Sequence, residues 1–390
     1  MGDAELRTIG VVTTARSDYG CLIPVLRAIE RDPELRLHLI VGGMHLAPEF
    51  GRTVEQIERD GFPIADRIEL LVSSDTPLGT AKSIALAVMG FADSYARVRP
   101  DVLVAFGDRF EMHAAVLAAL PFGIPIAHIH GGEVTEGAID DALRHGITKM
   151  AHLHFTSTQE YADRVVRMGE EPWRVTVSGA PSLDNLASVE LLDRAGLRER
   201  FGVPFDPAPL LVTVHPVTLE PERAPQQIAA LLAAIERSEL PAIFTLPNAD
   251  PGGHAISEAV HAYVAAHSNA HVLDNLGTQN YFSVMRAAAA MVGNSSSGII
   301  EAASFELPVV NVGARQTGRS HGTNVVDVAG DTDPDAILAA IRRVTDPAFR
   351  PALAGASNSY GTGVAAQRIV KRLREIALDE KLLRKHFHDG

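Results

Sequence analysis

The sequence predicts an α/β protein built on two doubly wound, mostly parallel sheets, and three observations predict it. Short apolar, β-branched runs recur in both halves with one helix-like segment between each pair, the pattern of right-handed βαβ crossovers. Glycine and polar clusters stand just after those runs, where doubly wound sheets bind ligands. The chain has 390 residues, more than the roughly 250–300 that one hydrophobic core carries, so two units are expected.

In the first half, strands are expected at Thr8–Thr14, Leu35–Val41, Ile64–Val72, Asp101–Phe106 and Ile124–Ile129. Tyr19–Arg31 and Glu49–Asp60 carry a helical period, and the Ala-rich segments Pro77–Val98 and Phe110–Leu120 are better helix formers than strand formers. The second half repeats the alternation. Its strands are expected at Leu210–His215, Pro241–Leu246, Ala270–Leu273, Met291–Gly293 and Pro308–Val312. Its helices are expected at Ala224–Arg237, His254–His267, Asn280–Ala290 and Gly298–Phe305. Between the halves, 178–206 holds several prolines and glycines and one helical segment, Leu191–Phe201, and reads as a linker. The expected division is 1–180, 181–363 and a terminal segment 364–390. The helix Val364–Lys385 of that last segment has no strand after it and is expected to pack back on the first unit.

Composition excludes several classes. A hydrophobic fraction of 46% excludes a disordered chain. With 35 Lys and Arg against 48 Asp and Glu, the formal charge of −13 argues against a nucleic acid partner. The lone cysteine, Cys21, excludes an intramolecular disulfide framework and a multi-cysteine metal site. There is no secretory leader pattern and no run of about 18 apolar residues, so no membrane partner is expected and the expected location is cytoplasmic.

The polar clusters fall where the fold class wants them. After the first strand comes ARSDYG, residues 15–20, in which Arg16 and the helix-start amides can hold an anion; the alternative is a helix capped by Ser17 or Asp18. After the second comes GGMH, where His45 lacks partners in the sequence and stays a minor candidate. Gly107-Asp108-Arg109 puts an acid and a base at one strand end, and its alternative is an internal ion pair. The densest cluster follows Ile124–Ile129: His128, His130, Glu133, Asp140, Asp141, Arg144 and His145. Strand alternation places His128 and His130 on one side. Asp141 and His145 share a helix face, as do Asp140 and Arg144. So many ionisable groups at one strand end point to proton transfer. The spacing lacks HExxH or any comparable ligand set, so no metal is expected. In the second half, His215-Pro216-Val217-Thr218, Pro247-Asn248-Ala249-Asp250 and Gly293-Asn294-Ser295-Ser296-Ser297-Gly298 each follow a strand. The last opens a helix containing Glu301 and resembles a phosphate nest. Arg315 follows the next strand. There is no GxGxxG after the first strand and no GxxxxGK[ST], which argues against nicotinamide cofactors and Walker-type ATP use.

TTARSDYG, GDRFE, HIHGGE, GAIDDALRHGITKMAH, HPVT, PNAD and GNSSSGIIEA, in that order, resemble the hydrolysing UDP-N-acetylglucosamine 2-epimerases of sialic-acid-type biosynthesis. The resemblance is collinear from about Arg7 to Tyr360. It implies a GT-B-like fold of two Rossmann-like domains with the active site in the cleft between them. It implies elimination of UDP across C1–C2 to a 2-acetamidoglucal, then addition of water to give N-acetylmannosamine, with no metal or redox cofactor. It also implies a homodimer or homotetramer. By position, Asp108, Asp140 and Asp141 match catalytic acids and His215 a histidine near the diphosphate. Arg16, Asp18, Arg109 and His145 fall in substrate-contacting motifs, and Asn248 and Asp250 match substrate contacts. Asn294, Ser295 and Ser296 match the diphosphate loop, Glu301 the ribose acceptor, and Arg315 a nucleotide contact.

Several members carry HIEGGE, with a glutamate where this chain has His130, so the base is His130, Glu133 or Asp108. The same change bears on the sugar: a related branch acts on a 2,4-diacetamido-2,4,6-trideoxy sugar nucleotide on the way to legionaminic acid. A GT-B glycosyltransferase shares the fold and the nest, and is separated by its need for an acceptor. A non-catalytic sugar-nucleotide binder would release no free sugar.

Overall fold

The computed structural model describes residues 6–74, 76–136, 138–217, 220–247, 252–274 and 276–389. The chain forms two units, one comprising residues up to Glu133, Asp140–Ala187 and Tyr360 onward, the other Val134–Ile139 and Ser188–Ser359. The main change of unit thus lies at 187/188, beyond the expected 180/181, because Pro181–Ala187 packs on the helix Arg16–Arg31 of the first unit.

In the first unit, seven strands form one sheet: β1 (Arg7–Thr13), β2 (Leu35–Gly42), β3 (Ile64–Ile68), β4 (Val102–Phe106), β5 (Ile126–Ile129), β6 (Leu153–Thr156) and β7 (Val175–Val177). They pair in parallel in the order β3-β2-β1-β4-β5-β6-β7. Parallel sheets are covered on both faces, and the strand period of two shows how. Ile9, Val11, Val102, Val104, Ala127 and Ile129 face the helices Arg16–Arg31 and Ala365–Glu375. Val12, Leu103, Ala105 and Ile126 face the helices Pro77–Arg97 and Phe110–Ala119.

The helix Arg16–Arg31 contains Pro24, which cannot donate to the carbonyl of Gly20. That orphaned carbonyl instead accepts from the Asn185 side chain at 2.9 Å. The helix expected at Glu49–Asp60 is shorter, because Gly51 takes φ 81 and separates a 3-10 turn, Pro48–Phe50, from the helix Val54–Arg59. The terminal helix is likewise two pieces, Ala365–Glu375 and Glu380–Leu383, separated at extended Ile376.

In the second unit, six strands form a parallel sheet: β8 (Leu210–Thr213), β9 (Ala242–Thr245), β10 (Ala270–Val272), β11 (Ala290–Gly293), β12 (Val309–Val312) and β13 (Val325–Val328). Their order is β10-β9-β8-β11-β12-β13. Each sheet therefore reverses its winding once, between β1 and β4 and between β8 and β11. Those are the topological switch points at which open α/β sheets take ligands. Among the described residues, no helix is long and apolar enough to cross a membrane.

Candidate active site

At the first unit's switch point, β1 runs into Thr14, Ala15 and Arg16. The Asp18 carboxylate is engaged by this loop itself: it accepts from the Thr14 and Ala15 amides, each at 2.7 Å, and from the Thr14 hydroxyl at 3.2 Å. Asp18 thereby caps the turn and leaves Arg16, half-buried at the first helical position, at its edge.

Beyond β4, Gly107 takes φ 74, a conformation open to glycine at little cost, and turns the chain into Asp108 and Arg109. Arg109 is held by the fully buried Glu111, Nε to Oε2 at 3.2 Å and Nη2 to Oε1 at 3.2 Å. Asp108 pairs with Arg144, which the helix Asp140–Met150 brings in with only 1% of its side chain exposed. The same guanidinium reaches Asp141 at 3.5 Å and donates to the Glu133 carbonyl at 3.0 Å. Asp141 in turn lies 3.5 Å from His145 Nε2, as the i,i+4 spacing predicts. Burial lowers the His145 pKa, while Asp141 pulls it back up. Asp140 opens this helix, half-buried, beside the others.

Beyond β5 the expected alternation breaks. His130 has φ 67, rare for a residue with a side chain, and its ring stands edge-on to Phe106 at 5.0 Å. Phe106 packs with the cluster under the helix Arg16–Arg31, so His130 turns away from the side that His128 faces. The turn brings His130 Nδ1 onto the carboxylate of Glu133, which is 1% exposed and also accepts from the Ser157 hydroxyl at 2.8 Å. Backbone strain of this kind concentrates at functional sites.

At the second unit's switch point, Gly293 has φ 138, and a Cβ there would overlap the Thr213 carbonyl oxygen on β8. Only glycine allows β11 to leave the sheet at this point. Asn294 then clamps the neighbouring loop: its side-chain oxygen accepts from the His215 amide at 2.7 Å, and its side-chain nitrogen donates to the His215 carbonyl at 2.8 Å. The Asn294 carbonyl takes donors from Arg315 at 3.2 Å and Gln316 at 2.8 Å. Ser295 caps the single turn Ser296–Ile300 by accepting from the Ser297 amide, and Glu301, nearly buried, ends that turn. A small pocket here is lined by Val214, Val217, Gly293, Asn294, Val312 and Asp331.

Asn248, Asp250 and Thr218 lie outside the described residues. Of the rest, the first unit gathers Asp108, His130, Glu133, Asp140, Asp141 and His145 around the ends of β4 and β5. The second gathers His215, Asn294, Ser295, Ser296, Glu301 and Arg315 around β8 and β11. Three residues escaped sequence reasoning as site members. Arg144 was visible as a helix neighbour of the acids, but not as the group that joins Asp108 and Asp141 and holds the Glu133 carbonyl. Ser157 carries no signal, since it stands 24 residues from Glu133. Tyr281 lies beside Thr213, Ser295 and Ser297; burial, with Glu301 adding, pushes its phenol up to about 12. Among the described residues, no group of three or more His, Cys, Asp or Glu could hold a metal ion.

The family model described as UDP-N-acetylglucosamine 2-epimerase matches residues 27–374. The chain is 36% identical over 380 residues to a UDP-N,N'-diacetylbacillosamine 2-epimerase (hydrolyzing) of Legionella pneumophila, covering 97% of this chain and 99% of that protein. It is 38% identical over 323 residues to a GDP/UDP-N,N'-diacetylbacillosamine 2-epimerase (hydrolyzing) of Campylobacter jejuni, covering 82% and 84%. Among solved structures, the UDP-GlcNAc 2-epimerase of Neisseria meningitidis, bound to UDP-GlcNAc, superposes with a TM-score of 0.78 at 16% identity, covering 94% of this chain and 99% of that one. That likeness shows the fold, two Rossmann-like units of the GT-B-like class.

Proposed function

The chain belongs to the UDP-N-acetylglucosamine 2-epimerase family, and from that premise we propose that it is a hydrolysing 2-epimerase acting on UDP-N,N'-diacetylbacillosamine. The observation that carries the reaction is the cluster at the ends of β4 and β5, where buried Arg144 pairs with Asp108 and Asp141, Asp141 lies near His145, and Glu133 pairs with His130. Breaking a weakly acidic C2–H bond needs a fixed base, and rehydration needs an acid and a base close together. The sugar is supported by the two relatives that bear its name, at 36% and 38% identity. His130 standing in place of a glutamate agrees with a departure in the sugar.

In this reading His130 accepts the C2 proton, oriented by Glu133, which Ser157 holds in turn. The C1–O bond breaks with its electron pair leaving on UDP, and a C1–C2 double bond forms. Water then adds its oxygen to C1 while C2 regains a proton on the other face, giving the free manno-configured sugar. Asp108 and Asp141, tied to Arg144, serve the hydration step. The loops bearing His215, Ser295, Ser296 and Arg315 take the diphosphate, and Glu301 takes the ribose hydroxyls. Asp18 and Asn294 shape the two loops, and Arg16 and Arg109 supply positive charge at the first. The protein is expected to work as a homo-oligomer in the cytoplasm.

The test is proton NMR in heavy water with each UDP-sugar in turn and no acceptor. Release of UDP and a free 2,4-diacetamido sugar carrying deuterium at C2 is the expected result. Retention of both UDP-sugars would sink the reading and leave a binding protein. The second reading, UDP-N-acetylglucosamine as the substrate, is favoured by the family's own description. Faster release of N-acetylmannosamine would select it.

A further inference from the structure

We propose that His128 is a positioning residue for this chemistry, holding the Gly107-Asp108 turn and the helix Asp140–Met150 in one register. The inference rests on the functional reading above. His128 is fully buried, on the face of β5 that otherwise packs apolar side chains such as Ile126 against Ala105 and Ile147. Packing alone would favour a leucine there, because a buried polar ring is costly unless both nitrogens are satisfied.

Both nitrogens are satisfied, and their partners lie on the two elements that carry the acids. His128 Nε2 lies 2.8 Å from the Gly107 carbonyl, one residue before Asp108. A carbonyl only accepts, so Nε2 carries the hydrogen. Nδ1 is then an acceptor and takes the Thr148 hydroxyl at 3.2 Å. Thr148 follows Arg144 by one helical turn and Asp141 by two on the helix Asp140–Met150. The imidazole thus acts as a two-ended strut between Asp108 on one side and Asp141 and Arg144 on the other.

Two further facts fit the strut. Burial holds the ring neutral, with its pKa lowered to about 3; the Gly107 hydrogen bond opposes the shift, and His154 and His130 add to it. The neutral form is the one that can donate at one end and accept at the other. Gly131 lies directly over the pair: a Cβ there would sit 3.0 Å from His128 Nδ1 and 3.1 Å from Thr148 Oγ1. The strut is closed off by backbone.

The experiment measures kcat and KM for the UDP-sugar, and UDP affinity by calorimetry, for His128→Asn, His128→Gln, Thr148→Val and Thr148→Ser. Glutamine keeps an N–H near the Nε2 position and asparagine does not. The expected result for His128→Asn is a kcat loss on the order of 10- to 100-fold, the scale of a small misplacement of reacting groups, with KM and UDP affinity unmoved. His128→Gln recovers most of that loss. Thr148→Val loses several-fold in kcat, and Thr148→Ser recovers it. A folded His128→Asn with wild-type kcat overturns the inference, as does a loss matched by an equal fall in UDP affinity. If His128→Asn does not fold, the threonine pair decides, and serine no better than valine overturns the inference. A wild-type protein that turns over neither UDP-sugar overturns the functional reading and this inference together; an active wild type with indifferent variants overturns this inference alone.

Discussion

Arg144 is a residue whose removal the first unit is expected to tolerate poorly. Its charge is buried, and it is stabilised by Asp108, Asp141 and the Glu133 carbonyl together. An unpaired buried charge costs more than the pair contributes, so this cluster keeps its members only as a set. Asp108 is different, because 23% of its side chain remains exposed. Asp108→Asn keeps the shape and removes the charge. It is expected to lower kcat by about 10²- to 10⁴-fold, the usual contribution of a general acid or base, with UDP affinity unchanged in calorimetry. Undiminished turnover would remove Asp108 from the catalytic set.

At the scale of elements, loop conformation decides where the site side chains point. Gly293→Ala places a methyl group on the Thr213 carbonyl at a φ suited to glycine. The expected outcome is a loss of stability of about 1–3 kcal/mol, with weaker UDP binding because Asn294, Ser295 and Ser296 shift together. Thermal unfolding and calorimetry check both. The helix Arg16–Arg31 offers a contrasting case. Asn185→Ala strips the Gly20 carbonyl of its partner and is expected to cost about 1–3 kcal/mol in denaturant unfolding. Because the defect lies inside the helix, away from its Arg16 end, kcat is expected to hold; a fall in kcat with no change in stability would contradict this reading. The partner of the Gly20 carbonyl stands 165 residues away in number, beyond the reach of any local sequence pattern.

On the scale of the whole molecule, the chain crosses from the first unit to the second and returns, and its C-terminal segment finishes the first. Fully buried Arg174 donates to the carbonyls of Lys381 at 2.9 Å, Leu382 at 2.8 Å and Arg384 at 3.1 Å. Lys385 reaches Glu170 at 2.7 Å, joining Lys149 at 2.6 Å and His154 at 3.0 Å. Burial by itself would raise the Glu170 pKa. The hydrogen bonds and charges of His154, Lys149 and Lys385 outweigh it and hold the carboxyl at about 2, below its usual 4.5. A depressed carboxyl stabilises the fold fully above its unfolded pKa and loses that contribution as pH falls through the folded one. Glu170→Gln is therefore expected to be less stable than the wild type at neutral pH, with the gap closing between pH 4.5 and 2. Urea midpoints measured across that range check it, and a gap independent of pH would refute the linkage.

Period and punctuation determined the two parallel sheets, because apolar runs buried on both faces and the glycines that end them are local properties. They also determined that polar residues would collect at strand ends, and most of the residues that do. They left out β6, β7 and β13, which are only three or four residues long and carry polar positions such as His154, Thr176 and Asp327. Tertiary structure alone decided how the site side chains pair. Arg144 with Asp108, Ser157 with Glu133 and His128 with Gly107 join positions far apart in the chain, and only packing of the helices on the sheet brings them within hydrogen-bond reach. It also decided the facing of His130, since one residue at positive φ reverses an alternation that the sequence pattern by itself would continue.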